Sequence, residues 1–200
     1  MNTTLVINRK GGAGKTTVSI NLASYFATAN VATTIMDYDP QGSSLHWLKL
    51  RHPTLAKIHG SNAAPEKFGQ LRSFGMYVPR KRSFIHATAH FIKDVLLTGL
   101  VRTRSIRIGV IANRVRRSMP VYQPLERFLK ALNLNLIGRL LDSEAFVRAA
   151  ETGAGIFEMD PGLADAECRQ FAPIIEWVTG EKLELPAASV YQLNLRLGGG

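Results

Sequence analysis

The run GGAGKTT at positions 11–17 carries the groups needed to hold a phosphate. Glycine lacks the β-carbon that keeps a backbone away from an anion, so Gly11, Gly12 and Gly14 let amide N–H groups converge on phosphate oxygens. Lys15 adds a positive charge for the β- and γ-phosphates, and the Thr16 hydroxyl is the kind of oxygen that ligates Mg²⁺. Ala13 and Thr17 complete the stretch that would wrap the anion. The common phosphate-loop pattern, G-x-x-x-x-G-K-[ST], asks for a glycine where Arg9 stands, and Lys10 takes a spacer position. A flexible turn would account for the glycines but not for G-K-T at this spacing.

A second group follows in MDYDPQG, residues 36–42. An acid at the carboxyl end of a parallel strand lies beside the ligand crevice of an α/β sheet. Asp37 is a candidate to hold a metal-bound water, and Asp39 to orient an attacking water. The alternative for either is a capping and turn role ahead of Pro40. His86 and His90 stand four apart, a spacing that suits zinc, but no glutamate follows His86 and no third ligand is evident. A surface or core pair is the better reading, and Trp47 and Trp177 read as packing residues.

These groups need elements to place them. Residues 3–8, TTLVIN, form a short β-branched apolar run of the kind expected in a buried parallel strand. Val18, Leu22, Tyr25, Phe26 and Ala29 then recur at helical spacing, and Asn30 can close that helix in the left-handed conformation. Residues 31–37 form a second apolar strand, which completes a βαβ unit with a right-handed crossover. Residues 51–83 are polar and broken by Pro and Gly, with GMYV (75–78) as the one strand fragment. Residues 84–100 read as a helix, 105–113 as a strand, 124–132 as a helix and 133–140 as a short strand. Residues 142–153 read as a helix capped by Asp142 or Ser143 and ended by Gly153. The last helix, 164–180, contains Pro173, which should bend or divide it. Residues 1–180 are expected to be one domain, and the tail 181–200 to be poorly ordered.

Composition bounds the class. With 200 residues, 46% of them apolar, the chain suits one soluble α/β domain. No apolar run approaches the roughly 20 residues of a membrane span. The N-terminal stretch lacks the pattern of a signal peptide, and a cytoplasmic location is expected. A single cysteine, Cys168, leaves no disulfide framework or iron–sulfur cluster. The net charge of +10 is concentrated in residues 72–117, which hold eleven basic residues and one acid; the remainder balances at fourteen against fourteen. Such a middle points to a polyanionic partner such as nucleic acid, or else to a solvated basic face.

KGGAGKTT (10–17) followed by DYDPQGSSLHWL (37–48) resembles the ParA/MinD ATPases, and in particular the ParA-like partition proteins. Their deviant Walker A motif is K-G-G-x-G-K-T. IRIGVIANRVRR (106–117) and LIGRLLDSEAFVRAAETGAGIFEM (136–159) are similar to later parts of the family. The resemblance implies an α/β fold with a mostly parallel sheet flanked by helices, ATP and Mg²⁺ as cofactors, and a nucleotide-sandwich dimer. It implies that Lys10 reaches the partner's phosphates, that Asn113 contacts the adenine edge, and that Thr16 and Asp37 serve the metal while Lys15 and Asp39 serve the chemistry. The family's Walker B strand, ending in an acid between the DPQG and HATA segments, is not found. The resemblance implies a further stretch of about 40 residues at that place, the size of two βα pieces. The expectation is a shortened sheet that has lost central strands, with a junction near residues 79–84 and ATP hydrolysis in doubt; the alternative is that GMYV (75–78) substitutes as a strand, with Asp37 alone completing the metal site.

The functional expectation is therefore an ATP-binding partition ATPase that dimerises on ATP and binds DNA nonspecifically. Arg102, Arg104, Arg107, Arg116 and Arg117 are the candidates for phosphate contacts, and a ParB-like protein for the stimulating partner. The rival is a non-hydrolysing nucleotide- or DNA-binding remnant. A MinD-like membrane-cycling protein would need a basic amphipathic tail, which is not evident.

Overall fold

The computed structural model describes residues 3–8, 11–64, 107–115 and 122–183. The elements run α1 (Lys15–Thr28), β1 (Thr33–Asp37), α2 (Ser43–Leu50), β2 (Ile58–Asn62), β3 (Gly109–Val115), α3 (Tyr122–Ala131), β4 (Asn135–Leu141), α4 (Glu144–Glu151), a 3₁₀ turn (Ile156–Glu158) and α5 (Asp165–Thr179). Residues 75–78, the 84–100 helix and the tail from 184 lie outside the described residues, as do His86 and His90.

Helices alternate with parallel strands, as the α/β expectation requires, but the described strands form two pairs rather than one sheet. β1 pairs with β2 in parallel from Thr33 opposite Ile58 to Asp37 opposite Asn62. β3 pairs with β4 in parallel, with register shifts between Val110 and Ile111 and between Ala112 and Val115. Parallel neighbours need a crossover, and α2 and α3 supply it in the two pairs. Two short parallel pairs flanked by helices are what a shortened phosphate-loop fold would leave. Residues 3–8, expected as a strand, belong to no ladder. Val6 packs on the core, while Leu5 is 69% and Ile7 47% exposed. The alternation of a strand survives there without strand neighbours among the described residues.

One helix joins the two halves. On one side α1 places Val18 and Leu22 among Leu140, Phe146, Ile156, Phe171, Ile174 and Ile175, drawn from β4, α4, the 3₁₀ turn and α5. On the other it places Ile20, Ala23 and Ala27 against Ile35, Trp47 and Ile58 of the β1–β2 half. The single apolar stripe expected for this helix is thus half of the pattern, and Ala29 lies outside it, exposed. Between the two faces run buried Asn21 and Ser24. Asn21 donates to the Thr17 carbonyl at 2.7 Å and accepts from the Ile156 amide at 2.7 Å, so the seam is fully paired. A β-carbon on Gly155 would stand 1.8 Å from Ser24 Oγ, so the turn after α4 meets α1 closer than any other residue allows.

The helix ends follow local chemistry. Asn30 takes φ +59°, with its amide on Ala27 and the Val31 amide on Phe26, a Schellman closure as expected. Asn133 does the same after α3 (φ +55°), and the Leu134 amide bonds to Leu129, its buried neighbour. The expected strand from 133 therefore begins two residues later. Ser143, not Asp142, caps α4 by accepting from the Ala145 amide, and Gly153 closes it. Pro173 does not divide α5, which is one helix from Asp165 to Thr179.

Candidate functional site

The loop lies at the start of α1. Gly12 (φ +70°) and Gly14 (φ +86°) are both left-handed, a conformation that costs a residue with a β-carbon about 1 kcal/mol or more. Gly14 is the N-cap of α1, no side chain caps that end, and the first turn holds no acid. Such a helix start keeps amide donors and the positive end of the helix dipole for an anion. A β-carbon at Gly11 or Gly12 would meet nothing within 4 Å among the described residues, which leave the space beside this part of the loop open. These features fit a nucleotide's phosphates.

The two acids differ. Asp37, at the end of β1, is 7% exposed, and its oxygens accept from the amides of Asp39 and Ser44, each at 3.0 Å. The Ser44 amide belongs to the first turn of α2, so Asp37 caps that helix from the preceding strand. Each of its oxygens keeps a further lone pair, and one carboxylate with a threonine hydroxyl is a donor set of the kind Mg²⁺ accepts alongside phosphate. Asp39 faces the loop: its Oδ2 lies 3.9 Å from Lys15 Nζ, and Oδ1 accepts from the Gln41 amide at 3.1 Å. The turn chemistry of MDYDPQG thus aims one acid inward and the other at the loop lysine. Among the described residues, no group of three or more His, Cys, Asp or Glu could hold a metal ion by itself.

From the other sheet comes Asn113, near the carboxyl end of β3. Its Nδ2 donates to the Ala13 carbonyl at 3.0 Å, and its Oδ1 accepts from the Arg114 amide at 2.8 Å. Arg114 is left-handed (φ +54°) inside the register shift of β3. Its guanidinium pairs with Asp142 at 3.1 Å, and the Asp142 amide bonds to the Val115 carbonyl. A bulge of this kind re-aims a side chain at a strand end. The donor end of the Asn113 amide thus meets the phosphate loop itself.

The structure therefore brings Gly11 to Thr17, Asp39 and Asn113 to one place, with Asp37 behind them. Arg9, Lys10, Arg102, Arg104, Arg116 and Arg117 lie outside the described residues. Arg107 is exposed, donates to the Val178 carbonyl at 3.1 Å near the end of α5 and stacks 4.9 Å over Trp177. Trp47 is buried, as a packing residue should be, and its indole donates to the Ala154 carbonyl.

Sequence reasoning missed a buried ion pair. Arg51 and Glu158, 7% and 2% exposed, meet through two hydrogen bonds of 2.6 and 2.8 Å. Arg51 also donates to the carbonyls of Gly153 and Ala56 and stacks 4.9 Å from the Trp47 ring. The pair ties the end of α2 to the turn that Asn21 holds against α1. The two residues are 107 positions apart, and no local pattern signals such a partnership. Cys168 is partly buried, and burial first, then Asp165 and Glu167, push its thiol up to about 11.

The family described as the CobQ/CobB/MinD/ParA nucleotide binding domain matches residues 4–156, more than half of the chain. The chain belongs to this family. It is 54% identical over 44 residues to the chromosome-partitioning ATPase Soj of Treponema pallidum, a stretch covering 22% of this chain and 17% of that protein. It is 51% identical over 39 residues (20% and 14%) to the chromosome partitioning protein ParA of Myxococcus xanthus. It is 38% identical over 72 residues (36% and 33%) to the maintenance of carboxysome distribution protein A of Gloeobacter kilaueensis. The chain thus spans about a third or less of the length of these relatives. Family membership and an uncapped, glycine-opened helix start agree on nucleotide binding. Among the described residues no helix is long and apolar enough to cross a membrane.

Proposed function

We propose that this chain is a ParA-like ATP-binding protein of plasmid or chromosome partitioning. The observation that carries the reading is the loop: two left-handed glycines open an uncapped helix, and Lys15 stands at its first position 3.9 Å from Asp39. ATP with Mg²⁺ would supply the transferable phosphoryl group. The amides of residues 11–17 and the Lys15 ammonium would hold its phosphates, with Thr16 and Asp37 as the metal's protein ligands. Asp39 would orient the attacking water, for which its carboxylate is open to solvent. Lys10, of the deviant K-G-G-x-G-K-T form, would reach across an ATP-dependent homodimer. Arg102, Arg104, Arg107, Arg116 and Arg117 would make sequence-independent DNA contacts that weaken steeply with salt. A ParB-like protein would prompt release, in a cytoplasm where the protein associates with the nucleoid. Residues 1–180 form the single domain in this reading, which the two-sided packing of α1 supports.

A second reading, a nucleotide-binding protein without hydrolysis, is favoured by two observations. One lone pair on each oxygen of Asp37 is taken by a backbone amide, and among the described residues no strand pairs with residues 3–8 to stiffen the loop. Parallel assays of ATP binding and turnover decide between the two. Turnover that vanishes in Lys15→Ala supports the ATPase, binding without turnover supports the second reading, and absence of binding defeats both.

A further inference from the structure

We infer that Asn113 is a positioning residue for the phosphate loop, holding the Ala13–Gly14 peptide with its carbonyl turned toward β3. This rests on the nucleotide-binding reading above. The peptide is trans, so its C=O and N–H point in opposite directions. With the Ala13 carbonyl bonded to Asn113 Nδ2 at 3.0 Å, the Gly14 N–H points away from β3. A glycine loop cannot secure that orientation unaided. Gly14 crosses between left- and right-handed conformations at little cost, and a flipped peptide would present a carbonyl oxygen where an amide donor is needed.

The surroundings of Asn113 fix which end of its amide meets the loop. Oδ1 takes the Arg114 N–H at 2.8 Å, which leaves the donor end for Ala13. Arg114 is held left-handed, a strained conformation for a residue with a β-carbon, and its ion pair with Asp142 supports it from β4's end. The approach is close enough to exclude any side chain at Gly14: a β-carbon there would stand 1.8 Å from Asn113 Nδ2. Bulge, left-handed arginine, ion pair and bare glycine all serve one 3.0 Å contact. The consequence is that Asn113 acts on phosphate recognition through the backbone of the loop.

The test uses inorganic tripolyphosphate, which has phosphates and no base, beside ATP, with the full chain titrated by calorimetry. Asn113→Ala should weaken both ligands by the same factor, roughly two- to tenfold for one lost hydrogen bond. Asn113→Asp, which keeps the shape but sets a carboxylate against the Ala13 carbonyl, should weaken both further. The Gly14 amide resonance of the unliganded protein should move in each variant. Loss of ATP affinity with tripolyphosphate affinity unchanged would make Asn113 a base contact and overturn the inference, as would two unchanged affinities. If the unsubstituted chain binds neither ligand, the nucleotide-binding reading itself has failed.

Discussion

The β1–β2 pair and the β3–β4 pair approach the same loop with different equipment. From the end of β1 and the turn after it come two acids, one directed inward to the first turn of α2 and one turned to Lys15. From β3 comes an amide that touches the loop backbone. The first half supplies charge and the second supplies geometry. In the described residues no strand ladder joins the halves. α1, with an apolar cluster on each side, and the Arg51–Glu158 pair do so instead. The lesson is that a loop site can be assembled from two half-sheets when the helix behind the loop packs against both.

The strongest way to break this arrangement is Arg51→Ala. It strands a buried Glu158 carboxylate and should cost about 3–5 kcal/mol in chemical denaturation. A loss below about 1 kcal/mol would mean the pair does not tie the halves. Next comes the acid pair itself. Asp37→Ala removes the acceptor of two amides and should cost about 1.5–3 kcal/mol before any ligand is added. Asp39→Asn, whose ion pair is long and partly exposed, should change stability by less than about 0.5 kcal/mol. Equal losses for the two acids would erase the distinction between capping and loop-facing roles. The smallest effect concerns Cys168 in α5. Its thiol is raised from 9.0 to about 11 in the fold, so the folded chain keeps the proton that the unfolded chain releases. The stability this contributes is complete below pH 9 and is lost as pH rises toward 11. Thiol-reagent labelling at pH 8 should accordingly be slower in the native chain than in the unfolded one, and equal rates would contradict it.

How much of this could be read beforehand depends on the range of the forces involved. The glycine loop was legible because its constraints lie within seven residues: absent β-carbons, a lysine and a hydroxyl. Asn30 as a helix end was legible for the same reason. The strand β2 was not, since IHGSN has one buried residue, Ile58, and otherwise looks like a loop. Residues 3–8 misled in the opposite sense. Their alternation is that of a strand, but a strand also needs neighbours, and periodicity does not count neighbours. For α1, a one-sided stripe was expected because a second apolar face made of Ile20 and two alanines has little contrast with its surroundings. The sequence allows Asp37 as a capping group or as a metal ligand, and the structure shows the capping bonds. The contact from Asn113 to Ala13 joins residues 100 apart, and only the fold could bring it to light.

The central claim is that the residues from Gly11 to Thr17, led by Lys15, bind a nucleotide's phosphates. Its most direct test is the affinity of the full chain for ATP with Mg²⁺, compared with Lys15→Ala under the same conditions. Binding to the unsubstituted chain that falls at least tenfold in Lys15→Ala, with thermal stability of the free protein unchanged, is the predicted result. Equal affinity in the two proteins, or no binding to either, would contradict it.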